Sequence, residues 1–183
     1  MHASDRTANL LGATSLAVTD LTLGGATRAV DLSASGAAAL VSLSAYPGLS
    51  VTELGRRIGL TQSAAARMVD GLEADGLVER RPSPLIRRMT TVHPTRAGRR
   101  AARRLLAARS SPLTDVVGAL DENEQRTLAD LLRKLLSRLY EQVGNAQYMC
   151  RLCDRKCCTT EGGCPVGQAE LKHQQGDTQT STI

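Results

Sequence analysis

Apolar and polar positions alternate along this chain in a way that divides it into helices, one short pair of strands and a polar end. From about Ala8 to Val30 the pattern is weak: Leu10, Leu11, Leu16, Leu21 and Leu23 are spread among Thr and Gly, so a helix here needs a partner surface to hold it. Ser33 is placed to cap a helix carrying Ala37, Leu40, Val41 and Leu43, which Pro47-Gly48 closes. Ser50 and Glu53 have capping-box spacing and open a short helix that should stop at Gly59. Thr61 caps the next, with Met68, Val69 and Leu72 facing inward and Gly76 at its end.

Two short helices joined by a tight turn fit both a helix-turn-helix and an ordinary helical hairpin. The next residues favour the first. Leu77-Val78-Glu79-Arg80 and Met89-Thr90-Thr91-Val92-His93 read as strands flanking a proline-containing basic loop over residues 81–88, which is the pattern of a wing. Beyond Thr95 a helix should run to about Arg109, with Pro112 interrupting it or capping the next stretch. Asp121 and Glu124 open a last long helix, whose Leu128, Leu132, Leu135, Leu139 and Val143 recur on one face as core or as a partner seam. The Gln-, Thr- and Ser-rich stretch from Leu171 to Ile183 has no apolar period and predicts a disordered tail.

The predicted fold is mainly α with a small β-hairpin wing, a winged helix-turn-helix with helical dimerisation extensions. Its parts are an N-terminal dimerisation helix (1–32), the winged domain (33–98), C-terminal dimerisation helices (99–145), a Cys-rich segment (146–166) and the tail (167–183). The chain is 42% hydrophobic but only 2% aromatic, with no Trp or Phe, so its core rests on Leu, Val, Ala and Met and offers few rings to wall a pocket. The net charge of +5 points weakly to polyanions. Its distribution says more: Arg80, Arg81, Arg87, Arg88, Arg96, Arg99, Arg100, Arg103 and Arg104 share their stretch with one acid, Glu79. Guanidinium forks suit phosphates and guanine edges better than ammonium groups do. No apolar run approaches the length of a membrane span and the first residues lack the build of a secretory signal, so a cytoplasmic protein without membrane contact is expected.

The run from Leu54 to Gly98 resembles the MarR family of bacterial regulators. The resemblance rests on the turn Gly59-Leu60-Thr61-Gln62, the helix through Arg67-Met68-Val69-Asp70-Gly71-Leu72-Glu73, the Gly76-Leu77-Val78-Glu79-Arg80 stretch and the later Thr95-Arg96-Ala97-Gly98; with the flanking helices it covers about Leu32 to Val143. It implies a homodimer whose terminal helices intertwine while two winged domains enter successive major grooves of double-stranded DNA, and hence a repressor of a pseudo-palindromic operator. By the family's pattern the second helix reads the groove, which makes Thr61, Gln62, Ser63 and Arg67 the contact candidates. Hydroxyls and amides at a helix start favour phosphate, and Gln can read adenine. Arg80 and Arg81 at the wing base and Arg87 and Arg88 at its tip complete the set. Arg88 matches the family's minor-groove arginine. The acidic residue that usually orients that arginine is replaced here by Leu85-Ile86, which can instead pack at the wing base, and Arg87 is a substitute for Arg88.

All the cysteines lie between Cys150 and Cys164. Cys150, Cys153, Cys158 and Cys164 are candidate ligands for Zn, with Cys157 an alternative to Cys158; oxidation-sensitive thiols, or cysteines without function, are the competing readings. Arg151, Arg155 and Lys156 favour the thiolate in either case. His2, His93 and His173 are scattered and pair with no recognisable nucleophile, so an enzyme is not expected. Two other functions keep a foothold, a CxxC thiol oxidoreductase and a winged-helix interaction module that binds no DNA, although the βαβ setting of such a redox motif is missing. No motif names a small-molecule effector.

Overall fold

A computed structural model describes residues 3–84, 86, 88–160 and 163–180. The elements are α1 (Ala3–Val30), α2 (Ala34–Ala45), α3 (Val51–Ile58), α4 (Gln62–Ala74), β1 (Val78–Pro82), β2 (Thr90–Pro94), α5 (Arg96–Val117), α6 (Glu122–Val143), α7 (Ala146–Met149), α8 (Arg155–Thr159) and α9 (Pro165–Thr180). The fold is mostly helical with one two-stranded antiparallel sheet. Among the described residues no helix is long and apolar enough to cross a membrane.

Helix α2 is the hub. Ala37, Ala38, Ala39, Leu40, Val41 and Leu43 are all buried, and the small alanines let α1, α3, α4, α5 and β2 approach its sides. Leu54 and Ile58 of α3, Val69 and Leu72 of α4, Val78, Val92, Ala102 and Leu105 complete this core. Ser33, Ser50, Thr61 and Thr95 cap α2 to α5, each side chain accepting a backbone N–H three residues on.

The hairpin pairs Val78 with Pro94 and Pro82 with Thr90. Leu49 adds an isolated bridge to β2: Val92 N donates to Leu49 O at 2.8 Å and Gly48 N to Val92 O at 3.0 Å. The far end of the sheet is fixed where α5 begins. Thr95 Oγ1 donates toward the carbonyls of Gly76 (2.8 Å) and Leu77 (3.2 Å), and Thr95 N donates to Leu77 O at 3.0 Å. Gly98, one turn later, passes so close that a Cβ there would lie 2.0 Å from Leu77 O.

Several expectations need correction. Ser50 Oγ accepts Glu53 N, but the return half of that capping box is missing: the Glu53 carboxylate takes Arg56 and Arg57, each at 2.8 Å. The charged pairs one turn away outcompete a neutral amide. The Asp121–Glu124 box is complete. Pro112 does not end α5, which continues to Val117; the Ala108 carbonyl, which Pro112 cannot bond, faces Gly25 of α1. Of the polar stretch from Leu171 to Ile183 expected to be disordered, the part up to Thr180 continues helix α9, and the rest lies outside the described residues. Pro165 suits the first position of α9, and Val166 is buried with Tyr140 and Ala146 in a second, smaller core.

Gly98→Ala should therefore lower stability by about 1–3 kcal/mol, since a backbone carbonyl cannot rotate aside as a side chain can. Gly71→Ala, in the same chain and with nothing within 4 Å of the added Cβ, should raise it by about 0.5–1 kcal/mol through lost unfolded-state freedom. Chemical denaturation of the two variants checks both signs.

Candidate nucleic-acid interface

Helix α4 begins at the surface and ends in the core. Ala65, Val69 and Leu72 are buried, which turns Thr61, Gln62, Ser63 and Arg67 outward, and all four are exposed. Thr61 Oγ1 accepts Ala64 N at 3.3 Å and lies 3.3 Å from Ser63 Oγ, so the cap and the first turn form one polar tip. Arg67, one turn further on the same face, has no ion pair among the described residues.

The wing arginines divide by environment. Arg80 reaches back to α4: its guanidinium binds Asp70 at 2.6 Å and also Glu73, whose other oxygen accepts the Arg80 backbone N–H at 3.1 Å. These hydrogen bonds hold the Arg80 pKa above its ordinary value, Asp70 contributing most. Arg80 thus clamps the wing to α4 through its ion pairs, with part of its guanidinium still reached by solvent. Arg81 is more exposed and pairs with Glu79 on its own strand. Arg88 is exposed with φ +66°, the left-handed conformation that turns the loop back toward β2. Arg87 and Leu85 lie outside the described residues. Ile86 does not pack at the wing base; it is 56% exposed. The tip is closed by Ser83 N to Met89 O (2.7 Å), Met89 N to Ile86 O (3.2 Å) and Ile86 N to Ser83 Oγ (3.2 Å).

Other arginines of the basic stretch are also committed within the fold. Arg99 donates to Pro94 O at 2.6 Å and Arg104 to Ala29 O at 2.7 Å, the second tying α5 to α1. Charge density alone could not distinguish these anchors from the exposed set.

A contact that the sequence did not disclose joins the C-terminal segment to the helix-turn-helix. Gly59 caps α3 at φ +75°, and the Tyr148 ring lies against it, 2.6 Å from where a Cβ would stand. Asn145 Nδ2 donates to Arg56 O at 3.2 Å, Arg56 donates to Gln147 Oε1 at 3.1 Å, and the Arg155 guanidinium lies 4.9 Å from the Tyr46 ring centre. Leu152, between the first two cysteines, packs on the main core. Gly59 signalled only a helix end in the sequence; that it also receives a ring depends on a residue far along the chain.

Comparison with known proteins agrees with this geometry. Residues 30–89 match the MarR family model. Among solved structures, the MarR family protein Rv2887 of Mycobacterium tuberculosis is 28% identical, with 69% of this chain and 91% of that one covered at a TM-score of 0.55. Wild-type MarR of E. coli in its apo form is 25% identical, with 70% and 95% covered at a TM-score of 0.58. YusO of Bacillus subtilis, at 23% identity, shares the fold with a TM-score of 0.63 over 74% of this chain and 97% of that one. No curated protein matches the chain.

Replacing Arg80 by Ala should cost about 0.5–1 kcal/mol, a modest amount because all three partners are partly solvated. Arg80→Lys should fail to restore it, since one ammonium cannot span Asp70 and Glu73 as the fork does. Thermal melts of the two variants, with Asp70→Asn as a control of similar cost, test the clamp.

Proposed function

Because this chain carries a MarR-family winged helix-turn-helix over residues 30–89, we propose that it is a transcriptional regulator that binds duplex DNA as a homodimer, acting as a repressor at a pseudo-palindromic operator. The observation that carries the reading is the outward face of α4: Thr61, Gln62, Ser63 and Arg67 are exposed together beside a basic wing. A helix of this kind lies in the major groove, where Gln62 meets adenine and Arg67 a guanine edge. The hydroxyls and amides of the first turn meet phosphate. Arg88 on the wing tip, with Arg87, reaches the adjacent minor groove, where the narrow negative channel favours guanidinium. Arg81 supplies charge at the wing base.

The dimer is supported by apolar surface that one chain leaves uncovered. On α6 the stripe expected as core or seam is outside the fold: Leu132, Leu135, Leu139 and Val143 are exposed, as is Leu131, while Leu136 and Tyr140 face α9. Leu10, Leu11, Leu16 and Leu21 of α1 are likewise exposed, Leu16 by 72%. Two helices with contiguous apolar faces at the ends of one domain call for a partner surface, and a second copy supplies the same faces by two-fold symmetry. Two winged domains related in this way read half-sites about one helical turn apart.

Binding should weaken by about a hundredfold between about 50 and 200 mM salt if about four phosphates are neutralised; fluorescence anisotropy with duplex DNA would show flat salt dependence if the charged face were not the contact surface. Arg67→Ala should cost about 1–3 kcal/mol on operator DNA and relax sequence preference, while Arg88→Ala should weaken operator and random duplex more evenly. Equal losses on both DNAs from both changes would remove Arg67 as a base reader. Leu135→Glu with Leu139→Glu should convert the dimer to monomer in sedimentation velocity and abolish operator binding, and a double variant that still sediments as a dimer would place the seam elsewhere.

A further inference from the structure

The cysteines gather at one place in the fold although they sit on different elements. Cys150 ends α7, Cys153 lies in a turn closed by Cys153 N to Cys150 O at 3.0 Å, Cys158 lies in α8 and Cys164 precedes α9. All four line the same cavity of about 360 Å³, bounded by α1, α5, α6 and α9, with Arg109 and Arg151 on its wall. Cys157 stays out of it, exposed and hydrogen-bonded to Asp154 at 3.5 Å.

We propose that Cys150, Cys153, Cys158 and Cys164 bind one thiophilic divalent ion, Zn²⁺, in a four-thiolate site that fixes the C-terminal segment against the helix-turn-helix. The set is the one expected from the spacing, and the shared cavity selects Cys158 over Cys157. Among the described residues no three His, Cys, Asp or Glu side chains already form a metal-holding arrangement. A Zn–S bond near 2.3 Å sets tetrahedral sulfurs about 3.8 Å apart, so the four side chains that line the cavity must turn between staggered rotamers to close on the ion. A cluster of several irons would hold its sulfurs further from one another.

Three features favour the charged form that a metal requires. The turn closed by Cys153 N to Cys150 O brings the two cysteines into one tight knuckle. Gly167 N donates to Cys164 Sγ at 3.4 Å, the kind of amide–sulfur bond that steadies a ligating thiolate. Arg109 and Arg151 on the cavity wall offset the net negative charge of a ligated centre. As the ion binds, each thiol proton leaves to solvent.

The site would act through contacts already described. Its knuckle carries Leu152 into the main core, and Tyr148, two residues before Cys150, covers the turn between α3 and α4. Ligation would order the segment that braces this turn.

The test uses the full chain purified without a metal-affinity step and does not involve DNA. Elemental analysis should find about one zinc per chain, with four of the five thiols protected from alkylation until a chelator is added. Co²⁺ added to the chelated protein should give the near-ultraviolet thiolate charge-transfer bands and strong visible bands of a tetrahedral sulfur site, and Zn²⁺ should bleach them. Cys153→Ser and Cys164→Ser should each lose at least about tenfold in metal affinity, while Cys157→Ser should match the native chain. Chelation should also speed amide exchange in α7 and at the end of α3. Iron with labile sulfide in place of zinc, a disulfide in the freshly purified chain with no cobalt spectrum after reduction, or equal loss from Cys157→Ser would each overturn the proposal. Should the ligand variants not fold, the cobalt spectrum of the native chain and the Cys157→Ser control still decide.

Discussion

The interaction on which the arrangement depends is the contact of the start of α5 with the turn between α4 and β1. Thr95 binds the Gly76 and Leu77 carbonyls through its side chain and Leu77 O through its amide, and Gly98 lets the two backbones touch. This one contact joins the second helix of the helix-turn-helix, both roots of the wing and the long helix that carries the domain. With Leu77 O in contact at two places, the wing cannot swing without moving α5, and α5 cannot shift along its axis without displacing α4. The polar tip of α4 and the basic wing are thereby held in a fixed relation, which is what the proposed fit to two adjacent grooves requires.

A second constraint sets which charges are available. The basic stretch looks uniform in sequence, but the fold divides it: Arg80 is held by Asp70 and Glu73, Arg99 and Arg104 bind carbonyls at the end of β2 and in α1, and Arg67 and Arg88 project. The clamped arginines shape the surface and the projecting ones give it charge. A count of basic residues therefore overstates the positive surface and misses the reason for part of it.

Local signals were legible wherever a residue solves a backbone problem. Ser33, Ser50, Thr61 and Asp121 cap the helices they were expected to cap, and Gly59 ends its helix in the left-handed conformation. What failed depended on distant partners. Glu53 had two ways to satisfy its carboxylate, and the nearby guanidiniums were stronger than the cap. Pro112 breaks a helix bond in isolation, but α1 lies along α5 and shelters the gap. Composition made the stretch from Leu171 look disordered because the apolar contacts that seat its helix, Val166 and Ala169, come earlier and find their partners on α6 and α7. The α4 face was legible because burial of every third or fourth residue fixes the opposite side; the clamp role of Arg80 was not, since only the hairpin brings it to Asp70 and Glu73.

The C-terminal segment bears on the winged domain more directly than its position after α6 suggests. In the chain it comes after the apolar stripe, which would place its influence on the spacing of two copies. In space it sits on α3, through Asn145, Gln147 and Tyr148, and on the main core through Leu152. Any event that orders or loosens this segment therefore acts on the turn between the two short helices as well as on α6, where Tyr140 and Leu136 pack against it. The size of such an effect is bounded by the difference in contact energy between the docked and undocked segment. A ring on a glycine, two hydrogen bonds and one half-buried leucine make that difference small.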